Sequence, residues 1–397
     1  MSFYTIPFFA CLRNCLLTGF LCFVLSGVSV LPAVANSTPE PPAMPADVEA
    51  GLDHLIAAVG DKNISADFNA IAAVLDYALQ SDLAPAKPEA EPMPRKREQG
   101  NGIFMREQIN VPMEKLVRYC YDPQVPPSVL FPNSIRRGHW LSGSDILVSG
   151  VKLWDVLDGL EEPLVMRGAE YEEITPDAFS GSYYGYNLDR LLIVLPYKGH
   201  RMFVSVSRQQ NPSTVGMKGA IVGNDDSWDY VYSGVNGATA RGIGWMDTYM
   251  YASSTVTVFF DGGPESTQTQ YAVFKWLKAG WANLNVVKRS HILSGTRRFL
   301  DGFRRIIEDS NLPPAEDIVR QMRAFESSSE QELQAAMHTY AQRLEVVAQK
   351  DDVLSRSDFR KIIANAGYAV HLNKDELVHD LMKRFIKSRL SIADLEG

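Results

Sequence analysis

Disulfides are the first device this sequence cannot rely on. Three of its four cysteines, Cys11, Cys15 and Cys22, crowd the N-terminus, and only Cys120 stands in the rest of the chain. A small disulfide-stapled scaffold is therefore excluded, and Cys120, within the apolar-aromatic stretch Leu116-Val117-Arg118-Tyr119-Cys120-Tyr121, reads as a buried core residue. Metal signatures are equally scarce. The histidines are His54, His139, His200, His291, His338, His371 and His379; none forms an H-x-x-x-H pair and none stands at zinc spacing from a cysteine, so no metal is expected. No G-x-S-x-G elbow is present. The glycine pairs at Gly216-Met217-Lys218-Gly219 and Gly242-Ile243-Gly244 are too short for a phosphate cradle, so no cofactor is expected. After the N-terminal apolar run, no stretch is long and apolar enough to span a membrane, and no internal repeat of fixed period is found.

What is present begins with an export signal. A single charge, Arg13, precedes the uncharged run Cys15 to Leu31; Pro32 breaks it and Ala33-Val34-Ala35 follows. Basic start, apolar middle and A-x-A exit are the parts of a cleavable signal peptide, which assigns residues 1–35 to export and predicts a periplasmic or secreted protein beginning at Asn36. The alternative is an uncleaved N-terminal helix that anchors the chain. Cleavage would remove one arginine and no acid, so the 39 basic and 47 acidic residues become 38 and 47, a net charge of −9. That balance argues against general nucleic-acid binding.

The rest divides into three by pattern. Residues 36–102 read as a Pro/Ala-rich tether with two short helices, one striped by Val48, Leu52, Leu55 and Ile56, the other by Phe68, Ile71, Val74, Leu75 and Leu79. The Pro-rich stretch from Ala84 to Pro94 follows, then Arg95-Lys96-Arg97 as a solvated linker end. Residues 103–263 read as a mixed α/β domain. Leu191 to Leu195 and the alternating Met202, Val204, Val206 against Phe203, Ser205, Ser207 flank the turn Lys198-Gly199-His200, a hairpin signature. Ala220–Val222, Trp228–Tyr232 and Thr255–Phe260 extend an antiparallel meander, and a helix carrying Trp154, Leu157 and Leu160 is expected before it. Residues 264–397 read as helical: Tyr271, Phe274, Leu277, Trp281 and Leu284 recur at steps of three and four, as do Leu333, Met337, Tyr340, Leu344 and Val347. Ser329 with Glu332 and Asn373 with Glu376 have capping-box spacing. The fold class is thus α+β, a central antiparallel meander with flanking helices followed by an all-helical region.

Two groups are candidate sites. Eleven of the sixteen tyrosines fall between Tyr119 and Tyr251. Trp228, Tyr230 and Tyr232 alternate along one strand and would share a face; if exposed, they form an aromatic platform for a glycan or peptide, with Arg241 and Arg208 as polar partners. If they face the helices, they are core. Asp225, Asp226 and Asp229 form the densest acidic group of the central region, a carboxylate pair for hydrolysis or ordinary turn chemistry. Arg297, Arg298, Arg304 and Arg305 make one helix face basic, suited to an anionic partner or to the solvated side of a packed helix.

Near the C-terminus, Leu354-Ser355-Arg356-Ser357-Asp358-Phe359 and Leu390-Ser391-Ile392-Ala393-Asp394-Leu395 resemble the closing halves of two EF-hand loops, with Asp358 and Asp394 at their last ligand positions. The resemblance covers the final fifty or so residues (roughly an EF-hand pair) and implies a helix-loop-helix scaffold. It implies no calcium: Val347 and Gln349 in one loop, and Lys383, Phe385 and Lys387 in the other, stand where oxygen ligands belong, and Asp352 and Ser388 replace the turn glycines.

The sequence therefore predicts an exported, non-catalytic binding or interaction protein of the cell envelope with a protein, peptide or glycan partner. A secreted hydrolase using the central acids and a structural assembly subunit are the alternatives.

Overall fold

The computed structural model describes residues 41–80, 92–393 and 395. The signal segment and the Pro-rich stretch 81–91 lie outside the described residues, as does Asp394. In chain order the elements are α1 (Ala46–Gly60), α2 (Phe68–Leu79), β1 (Asn101–Ile109), α3 (Met113–Tyr121), α4 (Pro127–Leu130), β2 (Ile135–Trp140), α5 (Asp145–Val148), β3 (Leu164–Ile174), β4 (Ser182–Tyr183), β5 (Gly185–Tyr197), β6 (His200–Gln209), β7 (Met217–Ile221) and β8 (Tyr230–Asn236). They continue with β9 (Tyr249–Asp261), β10 (Thr269–Gly280), α6 (Arg289–Ile307), α7 (Ala315–Ser327), α8 (Glu330–Ala348), α9 (Ser357–Ile363), α10 (Tyr368–His371) and α11 (Lys374–Arg389). The protein is α+β, with a large central antiparallel sheet and a helical C-terminal region. Among the described residues no helix is long and apolar enough to cross a membrane.

The central sheet has seven strands in the order β1-β10-β9-β6-β5-β3-β2, every neighbouring pair antiparallel. The hairpin read at Lys198-Gly199 is the β5–β6 connection: both residues have positive φ (50° and 81°), which gives a two-residue loop the twist its strands need. Alternate residues of each strand point to opposite faces. On one face Leu191, Ile193, Val204, Val206, Val256, Val258, Ala272, Phe274 and Trp276 are buried against α1 and α2. On the other, Leu192, Val194, Phe203, Phe259, Tyr271 and Val273 join a core with α3, α6 and α7. A second sheet, β4-β7-β8, is also antiparallel. One of its sides, with Tyr230 and Tyr232, belongs to that same core, while Val231 and Ala220 on the other side pack on α8 to α11.

Three expectations are corrected here. The two N-terminal helices are not tether: Leu52, Leu55, Ile71, Val74 and Leu75 are fully buried and cover the apolar face of the central sheet. Burying such stripes stabilises by about 1.5–3 kcal/mol per large side chain, and a solvated tether would forfeit it. Arg97, read as a solvated linker end, is paired with Glu49 and Asp53 at 2.7 Å each and stacks 4.4 Å over the Trp276 ring. The segment from Tyr271 to Gly280 is not helix but strand β10, paired along its length with β1 and β9. Both faces of β10 carry buried apolar residues, Tyr271 and Val273 on one and Ala272, Phe274 and Trp276 on the other, and a helical spacing can be picked out of such a run by accident. The boundary drawn at residue 264 consequently falls in the β9–β10 connection, inside one sheet. A smaller correction concerns Trp154 and its neighbours, which form only a single 3₁₀ turn at Leu153–Asp155.

The helices read at Leu333–Val347 and after Asn373 are α8 and α11, each opened by the capping box that its sequence spells.

Candidate functional site

The aromatic platform is the first site to place. Trp228, Tyr230 and Tyr232 are 2%, 2% and 1% exposed. Trp228 is not in the strand; it ends a 3₁₀ turn in the left-handed conformation, φ 57°. Tyr230 donates to Asp225 at 2.8 Å, and the Arg136 guanidinium lies 3.7 Å over the Tyr232 ring. These rings are core, because β8 turns that side toward the central body. Arg241 is exposed on the loop after β8 and approaches Asp352 at 3.6 Å, while Arg208 pairs with Glu98 at 2.6 Å. No platform for a glycan or peptide exists at these positions.

The three acids do not form a catalytic pair either. Asp225 is held by both arms of Arg298 on α6, one contact at 2.6 Å. Asp226 is exposed, and its carbonyl oxygen accepts from Arg305 at 3.3 Å. Asp229 is buried and paired with Lys387 at 2.9 Å. The carboxylates of Asp225 and Asp229 each tie the region of the small sheet to a helix, whereas Asp226 is held only through its backbone. On the basic face of α6, Arg304 contacts Glu308 one turn along and Glu107 on β1 of the central sheet.

The site the structure does build is a cavity of about 640 Å³ between the central sheet and the helices of its second face. Its floor is an interruption in the apolar lining of that face. Register places Arg190 opposite Ser207, Ser207 opposite Thr255, and Thr255 opposite Lys275. Four adjacent strands, β5, β6, β9 and β10, therefore contribute one polar side chain each to a single row across the sheet, about 14 Å long at ordinary strand spacing. The next row carries Ser205 opposite Thr257. The hydroxyls of Ser207, Ser253, Thr255 and Thr257 line the cavity and make no hydrogen bond to any described residue.

One end of the row is charge-balanced. Arg190 Nε donates to Glu170 at 2.6 Å and Nη2 to Glu172 at 3.2 Å, and the Tyr186 hydroxyl donates to the other oxygen of Glu172 at 3.2 Å. Burial pushes the Glu170 carboxyl above its ordinary range despite Arg190. The other end is not: Lys275 makes no hydrogen bond or ion pair with a described residue. Burial disfavours its ammonium; Glu172 works against that effect and Arg190 reinforces it.

The roof is apolar. Phe299, Leu300 and Phe303 of α6 and Val319 and Met322 of α7 face the floor, and Phe131 stacks on Phe299 at 4.6 Å. Gly302 lets α6 come this close: a Cβ there would stand 2.3 Å from Asn133, whose side chain donates to the Arg298 carbonyl at 2.8 Å. Cys120 also lines the cavity, and burial pushes its thiol far above the range in which a thiolate forms. Glu170 and Glu172 are both committed to Arg190, so neither is a free base. The arrangement is suited to holding a molecule with an apolar body and a hydrogen-bonding head.

Part of this floor was legible. Ser205 and Ser207 alternating with Val204 and Val206, and Thr255 and Thr257 alternating with Val256 and Val258, mark strands with one face of hydroxyls. Glu170, Glu172 and Lys275 were missed because β3 reads as a charged segment and β10 as a helix. Among the described residues no cluster of three or more His, Cys, Asp or Glu side chains is placed to hold a metal ion. No protein-family model matches the chain, and no curated protein matches it.

Proposed function

We propose that the chain is an exported, non-catalytic binding protein that holds a small amphipathic molecule in the cavity on the central sheet. The reading rests on one observation: a row of polar side chains from four strands, open to a cavity of about 640 Å³ under an apolar roof. Core faces of sheets are normally apolar, and unpaired hydroxyls there cost stability. Keeping them beside a void of ligand size favours recognition over packing. Burial of Trp228, Tyr230 and Tyr232 moves the binding reading from the small sheet to this cavity, and from a glycan or peptide to a small molecule.

The test is titration of the full chain with Nile red, a neutral apolar dye, alongside Thr255→Trp, which would fill the cavity from the floor. Near-ultraviolet circular dichroism reports that both are folded. Saturable binding to the parent, weakened at least about tenfold (1.4 kcal/mol) in the variant, is expected. Absence of saturable binding, or equal binding by both, overturns the proposal. For export, a mature N-terminus at Asn36 is expected after secretion, and an intact Met1 in the membrane fraction contradicts it.

A further inference from the structure

Among the groups on the cavity floor, Lys275 is the cation that no carboxylate holds. Arg190 is clamped by Glu170 and Glu172, so its charge is spent inside the protein. Lys275 instead stands at the far end of the row, opposite Thr255, which stands opposite Ser207. An ammonium and two free hydroxyls on adjacent strands are three donors turned toward one open volume, and nothing in the described residues accepts from them. A half-buried cation without a partner is costly, and a ligand that brings the missing acceptor relieves that cost on binding.

We propose that the ligand is a monocarboxylic acid with an apolar body. Its carboxylate pairs with Lys275 and accepts from the Thr255 and Ser207 hydroxyls, and its body lies beneath Phe299 and Phe303. This rests on reading the cavity as a binding site and names the class of molecule that site takes. A single carboxylate fits the charge count on the floor: Lys275 is its one uncommitted cation, and the nearby Glu172 opposes a second negative charge, while Arg323, which lines the cavity from α7, donates to Gln124 at 2.7 Å. A phosphate dianion would meet that opposition with no second free cation on the floor to offset it. Because burial disfavours the ammonium of Lys275 in the free protein, pairing with an anion favours protonation, and acid binding is coupled to proton uptake on the alkaline side. The same donors leave an alcohol with hydrogen bonds but no ion pair.

The experiment is displacement of Nile red from the full chain by two acids, palmitate and naphthylacetate, each beside its own alcohol, hexadecanol and naphthylethanol. The parent, Lys275→Met and Lys275→Arg are compared. In the parent at least one acid is expected to displace the dye at a concentration about tenfold or more below its alcohol. The acid-to-alcohol ratio falls to about one in Lys275→Met, and Lys275→Arg, which keeps the charge, retains part of the preference. Raising the pH is expected to erode the preference in the parent as Lys275 loses its proton, with no such trend in Lys275→Met. If neither acid outcompetes its alcohol in the parent, or if the preference survives in Lys275→Met, the carboxylate assignment is wrong although the cavity still binds. Failure of Nile red itself to bind would strike the underlying reading instead.

Discussion

The two faces of the central sheet are made by the same strands, residue by alternate residue, yet they solve opposite problems. Val204, Val206, Val256, Val258 and Phe274 look toward α1 and α2 and are fully buried. Ser205, Ser207, Thr255, Thr257 and Lys275 look the other way and line a cavity. The first face is closed as a core closes, by apolar side chains meeting two amphipathic helices. The second keeps hydroxyls and charges next to space. On the proposed reading the first face serves stability and the second a ligand, and each can be perturbed by itself.

The largest expected effect is on the apolar face. Phe274 packs on Phe104 at 4.6 Å and is fully buried. Phe274→Ala is expected to cost about 3–5 kcal/mol in chemical denaturation, from lost burial plus the cavity left behind. Next comes the charged end of the cavity face. Arg190→Met removes the partner of both Glu170 and Glu172 and is expected to cost about 3 kcal/mol at neutral pH. Since burial already raises Glu170, lowering the pH protonates that carboxyl early, and the deficit of the variant shrinks toward acid. A deficit that stays constant with pH would show that the guanidinium acts by packing alone.

A neighbouring pair of near-isosteric changes sharpens the comparison. Val258→Thr puts a hydroxyl into the apolar face and is expected to cost about 1–3 kcal/mol. Thr257→Val, one residue away on the other face, removes a hydroxyl that no described residue uses and is expected to stay within about 1 kcal/mol of the parent. Equal costs would mean that the two faces are not chemically distinct. A pH-dependent effect separates a sealed lysine from the cavity lysine. Lys383 on α11 is buried 5.0 Å over the Tyr230 ring, and burial pushes its ammonium down to about 8, with Asp380 only partly offsetting it. Its folded value is below its unfolded one, so the unfolded chain holds more protons between about pH 8 and the ordinary lysine range. Stability therefore rises with pH across that window, by at most about 1.4 kcal/mol per unit. Lys383→Met should remove that contribution to the rise, measured as denaturation midpoints across the window.

Legibility followed how local each signal is. The β5–β6 hairpin was readable because its turn and its alternation lie within twenty or so residues, as short-range signals do. Capping boxes at Ser329 and Asn373 marked α8 and α11 for the same reason. The misreadings came from contacts distant in sequence. Leu52 and Ile71 are identified as sheet-facing only by Val204 and Val256, far along the chain. Nothing near Tyr271 says that β1 and β9 flank it. The strand Leu164–Ile174 carries Glu170, Glu172 and Glu173, residues depleted in strands, and their partners Arg190, Arg136 and Arg137 come from other elements. The tyrosine stripe was visible, but its residue types are the same for a platform and for a core, and only the placement of β8 decides.

On the proposed reading the Ser207 and Thr255 hydroxyls are kept for a ligand rather than for the fold. Ser207→Ala combined with Thr255→Val tests it, with melting temperature and Nile red displacement by palmitate measured on the same preparation. The expected result is a melting temperature unchanged or raised, because unpaired hydroxyls have left a largely buried face, and palmitate binding weakened by about tenfold or more. A lowered melting temperature with palmitate binding intact would contradict it, and would assign those hydroxyls to the fold.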